Sequence, residues 1–369
     1  MPHDISAAVL PDYDRPFEVR TVQLDDPRPN EVLVKLVATG VCGTDLGVQA
    51  GHTPFPLPGV LGHEGAGVVE AVGAGVSTVK PGDKVLLSFT SCGVCRNCKL
   101  GHPAFCQYFL TLNLIGGRRA DGSYTLHEGG EPVNGHFFGQ SSFATHALAD
   151  ERGVTRVSDD ADLAALAPLG CGIQTGAGTV LNILKPAPGT TIAVFGAGAV
   201  GLAAVMAARL TSVERIVVVD IVQSRLDLAA TLGATHPINS RDLDLTQVLL
   251  DLTDGWGIDY AVDATGNVPV IHSAILALAP LGELALVGAP PVGHTVDLDV
   301  NFMLSGRRVI GVTEGDSTPQ LLIPALIELI AQGRFPLDKL ITPFDFSNIN
   351  DAMSALKDGS ALKPVLHFA

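Results

Sequence analysis

Thr191-Ile192-Ala193-Val194-Phe195-Gly196-Ala197-Gly198-Ala199-Val200-Gly201 joins a short, almost wholly apolar run to a G-x-G-x-x-G turn. The run reads as an apolar strand, and the residues from Val200 to Leu210 that follow carry a helical pattern. In that strand, turn, helix setting Gly196 permits the tight turn and Gly198 lets the backbone approach a pyrophosphate. Gly201 lets the helix close on the strand, and Ala197, Ala199 and Val200 supply backbone at the amide-rich helix start. Asp220 ends the next strand, nineteen residues after Gly201. A carboxylate there accepts from both ribose hydroxyls and repels a 2′-phosphate, so NAD is expected rather than NADP. A flavin or nucleotide fold without redox function is the competing reading of the glycines alone.

Outward from this stretch the same texture continues. Apolar runs at Arg215 to Val219, Tyr260 to Asp263, Gly282 to Val287 and Val309 to Val312 alternate with helical stretches such as Ser224 to Leu232. The alternation predicts an α/β unit with a six-stranded, doubly wound parallel sheet. Before about residue 170 the chain instead carries short β-type runs, among them Val32 to Val37, Gly67 to Val72 and Lys84 to Phe89, bounded by turns such as Pro81-Gly82-Asp83. This part reads as an all-β, loop-rich module. An amphipathic helix near Gln320 to Ala331, a loop through Phe335-Pro336 and a terminal strand near Val365 to Phe368 are expected in the tail.

At 369 residues the chain exceeds the about 250–300 at which single cores stop growing, so two domains are expected. A formal charge of −15 repels phosphate backbones and anionic headgroups, which argues against nucleic-acid and membrane partners. Met1-Pro2-His3-Asp4-Ile5 shows no basic stretch leading into an apolar run, and a cytoplasmic protein is expected.

Four of the six cysteines, Cys92, Cys95, Cys98 and Cys106, form C-x2-C-x2-C-x7-C. Four thiolates so spaced close a tetrahedron around one zinc ion and leave no position open, which makes the site structural. The acidic charge disfavours the rival reading as a nucleic-acid zinc ribbon. Cys42 and Cys171 are isolated in sequence, yet both stand among glycines, as does His63 in Gly62-His63-Glu64. Two thiolates and an imidazole make an open zinc site, a ligand set known from alcohol dehydrogenase.

These residues resemble the zinc-containing medium-chain alcohol dehydrogenase family. Gly62-His63-Glu64-Gly65-Ala66-Gly67 with Gly73 and Val76 matches its G-H-E-x2-G-x5-G-x2-V signature at every fixed position. Within the family the chain looks similar to aryl-alcohol and geraniol dehydrogenases, on Phe138 to Phe143, Pro168 to Gly176 and Thr313-Glu314-Gly315-Asp316. The resemblance implies a GroES-like catalytic domain over 1–172 and 314–369, with a Rossmann domain inserted at 173–313. It implies catalytic zinc on Cys42, His63 and Cys171, Glu64 behind it or as an occasional ligand, and Asp45 orienting His63. Thr44 would take the alcohol proton and Thr175 would lie against the nicotinamide. Arg225 and Lys363 align with cofactor-contacting positions, and Thr265, Val287 and Val312 with the cofactor cleft. The implied activity is oxidation of hydrophobic, aryl or allylic, primary alcohols to aldehydes with reversible hydride transfer to NAD, in a homodimer or homotetramer.

Two departures stand out. Gly47 occupies the place where the animal-type enzymes carry a relay histidine, so water is expected to end the relay, with His52 as the alternative. Gly43 stands where relatives place a basic residue on the pyrophosphate. Phe137, Phe138 and Phe143 are candidates for the substrate pocket or, equally, for the core. A thiol-adduct formaldehyde dehydrogenase and a non-catalytic zinc and NAD-binding scaffold are the alternative functions.

Overall fold

The computed structural model describes residues 3–368. The chain divides into two compact units. The first runs to Cys171 and adds Thr318–Glu328 and the residues from Leu337 onward; the second holds Gly172–Ser317 and Leu329–Pro336. Residues 314–317 group with the second unit because Glu314-Gly315 pack on the helix Gly172–Gly178, where a Cβ on Gly315 would lie 2.6 Å from the Gln174 carbonyl.

The first unit is built on two sheets of mostly short, antiparallel strands. Five strands, Gly59–Val60, His3–Leu10, Glu18–Leu24, Leu126–Glu128 and Glu131–Val133, form one. The other is organised by the long strand Glu31–Gly40, which pairs with Glu64–Val72 along one edge. Its other edge pairs with His146–Asp150 over the first half and with Lys363–His367 over the second. The register sets Gly40 opposite both Glu64 and Val365. This single coincidence brings segments near residues 42, 63 and 363 to one place. An antiparallel core of Val32, Val34, Leu36, Val69, Val85 and Leu87 holds it.

The second unit is the parallel sheet that the glycine turn predicts. His236–Asn239, Arg215–Asp220, Thr191–Phe195, Ile258–Asp263, Leu278–Leu286 and Arg308–Gly311 lie side by side in that order, all parallel. Thr191–Phe195 at the centre is buried throughout, as a strand covered on both faces must be. His236–Asn239 contains Pro237, which cannot donate to a ladder, and it sits at the edge. The helix Ala199–Arg209 is buried from Gly201 to Ala208 and closes on Gly172–Gly178, where a Cβ at Gly176 would lie 2.0 Å from the Val200 carbonyl. Among the described residues no single helix is long and apolar enough to cross a membrane.

Candidate active site

Cys42, His63, Glu64 and Cys171 are all buried, and each offers one ligand atom within 4.8 Å of the others. Cys42 follows the Gly40 pairing by two residues and caps the helix Gly43–Gln49, while His63 immediately precedes the strand Glu64–Val72. Cys171 is delivered by a close backbone approach: a Cβ on Gly170 would stand 2.3 Å from the Leu87 carbonyl, and Ser88 Oγ donates to the Gly170 carbonyl at 2.6 Å.

Asp45 aligns two of these groups at once. Its Oδ2 accepts from the Cys42 amide at 2.9 Å, and its Oδ1 accepts from the Gly62 amide and faces His63 Nδ1, both at 3.2 Å. A carboxylate acceptor fixes the His63 proton on Nδ1 and leaves Nε2 with its lone pair free. Nε2 is buried and has no hydrogen-bond partner. A buried nitrogen lone pair without a donor costs free energy unless something binds it. Beside two cysteine sulfurs, it fits a zinc ion with a position to spare.

The Glu64 carboxylate sits over Gly40, where a Cβ would lie 1.9 Å from Oε2. Lys363 is buried against it, with Nζ 2.9 and 3.0 Å from the two carboxylate oxygens and 3.2 Å from the Val41 carbonyl. Its Nζ is thus held by Glu64 and Val41 together, so Lys363 is the buried counter-ion of Glu64 beside Cys42, His63 and Cys171. Burial favours loss of its proton, but Glu64 and the Cys42 and Cys171 sulfurs outweigh burial and hold the ammonium above its ordinary value. The hydrogen bond with Cys171 and the charge of Lys363, against the effect of burial, hold the Cys42 thiol well below its usual range.

Thr44 Oγ1 lies 3.8 Å from Cys42 Sγ and is half-buried. Gly43 is exposed, and a Cβ there would meet nothing within 4 Å. At Gly47 a Cβ would meet the Thr53 hydroxyl at 3.2 Å, and His52 is exposed on the turn that follows. Phe137 and Phe143 are fully buried and Phe138 is 4% exposed. Phe138 stacks on the His63 ring at 4.4 Å and Phe137 meets it edge-on at 5.3 Å, so these aromatics pack around His63 as core.

The other four cysteines gather in the same unit, with every Sγ within 4.8 Å of the rest. The amides of Cys95 and Cys92 donate to the sulfurs of Cys92 and Cys106 at 3.3 and 3.4 Å, and that of Tyr108 donates to Cys106 at 3.4 Å. N–H donors aimed at sulfur stabilise thiolate, the form that binds metal.

In the second unit Gly196 has φ +92°, and a Cβ on Gly201 would overlap the Gly196 carbonyl at 1.8 Å. Gly198 caps the helix Ala199–Arg209 without a side-chain bond, and a Cβ there would meet nothing within 4 Å. A helix start without a side-chain cap, with open space beside its Gly198, is what a pyrophosphate requires. Asp220 accepts from the Ala197 amide at 2.7 Å and the Val222 amide at 2.8 Å, which fixes its carboxylate beside the glycine turn. Thr265, Val287 and Val312 lie just past the carboxyl ends of their strands, where such sheets bind ligands. Arg225 is half-buried in the following helix with an unpartnered Nε. Thr175 Oγ1 lies 3.4 Å from Glu314 Oε2, and Gln174 Nε2 donates to the same oxygen at 3.2 Å. Sequence reasoning missed Glu314 as an anchor of Thr175; its signal was the unusual run Thr313-Glu314-Gly315-Asp316, in which the last three residues adopt positive φ.

A family model described as the alcohol dehydrogenase GroES-like domain matches residues 28–159, and one described as zinc-binding dehydrogenase matches residues 199–332. A geraniol dehydrogenase of Castellaniella defragrans is 46% identical over 364 residues, covering 98% of this chain and 97% of its own. The crystal structure of benzyl alcohol dehydrogenase from Acinetobacter calcoaceticus superposes with a TM-score of 0.95 at 44% identity over the whole of both chains. An alcohol dehydrogenase zinc-binding domain protein from Burkholderia ambifaria superposes at 0.97 with 48% identity, again over both full lengths.

Proposed function

The chain belongs to the zinc-containing medium-chain alcohol dehydrogenases, and from that premise we propose that it oxidises aryl or allylic primary alcohols to aldehydes with reversible hydride transfer to NAD. The observation that carries the reading is the bare, buried Nε2 of His63 among the sulfurs of Cys42 and Cys171. Two relatives named for geraniol and benzyl alcohol support the substrate class.

Zinc on Cys42, His63 and Cys171 would supply Lewis acidity, which would lower the pKa of an alcohol toward neutrality, by analogy with its effect on water. A second zinc, held by Cys92, Cys95, Cys98 and Cys106, would stabilise the lobe that carries them. NAD supplies the hydride acceptor. Asp45 holds the His63 tautomer, and Lys363 balances Glu64 so that the cluster does not accumulate negative charge. Thr44 takes the alcohol proton through its hydroxyl, and with Gly47 beside it the proton passes on to water. Gly196 to Gly201 cradle the pyrophosphate, and Asp220 accepts from the adenosine ribose and excludes a 2′-phosphate. Arg225, Thr175, Thr265, Val287 and Val312 complete the cofactor's surroundings. Without a basic side chain at position 43 the pyrophosphate has one cation fewer. We assign a homodimer or homotetramer as the assembly, which size-exclusion chromatography with light scattering tests.

The test is NADH formation at 340 nm with metal-quantified protein and benzyl alcohol, cinnamyl alcohol, geraniol, ethanol and a hydroxymethyl-thiol adduct. Turnover of the aromatic or allylic alcohols, lost with a chelator and absent with NADP, supports the reading. Turnover of the thiol adduct alone, or of none at two zincs per chain, overturns it.

A further inference from the structure

Residues 137–143, the loop beneath the metal cluster, make a set of contacts that the reaction as described does not use. Gln140 is 2% exposed, and its one amide makes three bonds. Its Oε1 accepts from the Gly65 amide at 3.1 Å, and its Nε2 donates to the carbonyls of His63 at 3.0 Å and Ser88 at 3.1 Å. Ser88 in turn donates through Oγ to the carbonyl of Gly170, which precedes Cys171. One side chain therefore ties the backbone of His63 to the backbone that delivers Cys171.

The rest of the loop presses on the same stretch. Ser141 Oγ donates to the Val60 carbonyl at 2.6 Å and accepts from the Phe137 amide at 2.9 Å. The amides of Phe143 and Ser142 donate to the carbonyls of Leu61 and Gly62, both at 2.9 Å. The close approach depends on the glycines beside His63. A Cβ on Gly62 would lie 2.4 Å from Phe143, and one on Gly65 would lie 2.9 Å from Ser142 and 3.0 Å from Gln140. The loop's own backbone is turned to the left-handed region at Phe138 (φ +51°), Gly139 (+68°) and Ser141 (+53°). Side-chain-bearing residues hold that conformation only where their surroundings over-determine it. Here the turn sets the Phe138 ring 4.4 Å from the His63 imidazole and 23° from parallel with it.

We propose that this loop is a clamp that holds His63 in its metal-binding position, and that Gln140 is the positioning residue that couples His63 to Cys171. The proposal rests on the reading of His63 and Cys171 as ligands. The imidazole is fixed at Nδ1 by Asp45, on its face by Phe138 and through its own peptide by Gln140, which leaves Nε2 one direction in which to point. A ligand cage held in advance releases its metal slowly, because departure of the ion is not assisted by collapse of the donors. Partners that orient a ligand are worth about 10–100-fold in metal affinity.

Gln140→Met keeps the length of the side chain and drops its three bonds. Asn113→Leu is the matched control. Asn113 is buried in the same unit and also makes three bonds, accepting from the Thr90 amide and donating to the carbonyls of Thr90 and Phe109. Two readouts serve: the rate at which each zinc passes to a chelator, and the visible absorption of cobalt placed in the Cys42, His63 and Cys171 site. Expected is that Gln140→Met loses about 10–100-fold in affinity for one zinc, which it then releases faster, keeps the other, and shifts the cobalt bands. Asn113→Leu should lower thermal stability and leave the cobalt bands in place. Wild-type release and bands in Gln140→Met, or the same band shift in both variants, overturns the proposal. If Gln140→Met does not fold, Phe138→Leu decides, with faster release expected and an unchanged rate as the contrary result. Cys42→Ser separates the two levels: two tightly held zincs in that variant would sink the ligand reading itself.

Discussion

Asp45→Asn changes one atom of a carboxylate that serves three neighbours. Oδ2 accepts from the Cys42 amide at 2.9 Å, while Oδ1 accepts from the Gly62 amide and faces His63 Nδ1 at 3.2 Å. The variant keeps shape and volume but replaces one oxygen by an NH2 group. With the amide oxygen toward Cys42, the NH2 confronts the Gly62 amide and the His63 Nδ1 proton. The ring escapes only by shifting that proton to Nε2, the atom that must stay bare for the metal. With the amide reversed, the NH2 confronts the Cys42 amide. Either way a buried donor is stranded, at about 1–3 kcal/mol. Loss of the partner that orients a ligating imidazole weakens zinc by about 10–100-fold, or about 1.4–2.7 kcal/mol. Chelator competition with metal counting is the assay: one zinc should leave at a correspondingly lower chelator concentration while the tetrathiolate zinc stays. An Asp45→Asn protein holding both zincs as tightly as wild type would refute the tautomer argument.

Four further outcomes are expected. Asp220→Ala removes the carboxylate beside the glycine turn and should raise kcat/KM with NADP relative to NAD by at least about tenfold, or 1.4 kcal/mol; wild-type protein using both equally would contradict the assigned role. Arg119 is buried in a two-bond pair with Glu31 and also bonds Asp25 and the Tyr124 carbonyl. Arg119→Met should lower stability to urea by about 3–5 kcal/mol with little change in KM, whereas a change below 1 kcal/mol would show that the pair is not effectively buried. Burial, aided by Arg119 and opposed by Glu31, pushes the imidazole of His136 down from 6.5 to about 4. The unfolded chain therefore takes up this proton first, and stability is lost as pH falls from 6.5 toward 4, by about 2 kcal/mol at pH 5; His136→Gln should show a shallower fall in urea midpoint between pH 7 and 5, and an identical slope would exclude His136. His52→Ala should leave turnover at neutral pH nearly unchanged, and a large loss would make His52 the relay's terminus.

The parallel unit was the more legible because its signals are local. The strand at Thr191–Phe195 emerges with the bounds read from sequence, since one continuous run, one glycine turn and one helical pattern decide it together. The strand His236–Asn239 had no such signal. Its Pro237 speaks against a strand, and only the edge position tolerates it. The short helix Gly43–Gln49, too brief to show a period, was likewise invisible. The cysteine cluster and the glycine-flanked histidine were legible by residue type and spacing, although the sequence could not say what surrounds them.

What stayed hidden depends on pairings between residues far apart in the chain. A lysine near the carboxyl end announces a positive charge without saying which anion it meets. For Lys363 the strand register supplies a partner that no local signal announces: with Gly40 opposite both Glu64 and Val365, the ammonium arrives beside a carboxylate 299 positions away. The aromatic run at Phe137-Phe138 was ambiguous for the same reason, because hydrophobic residues fill pockets and cores alike. Its left-handed turn and its partners at residues 60–65 place it in the core around His63. The proposed ligands are thus written in residue types, but what holds their backbone is written in the bonds that the side chains of Gln140, Ser88 and Asp45 make to it. A substitution at Gln140 should accordingly disturb the metal more than it disturbs the sheet.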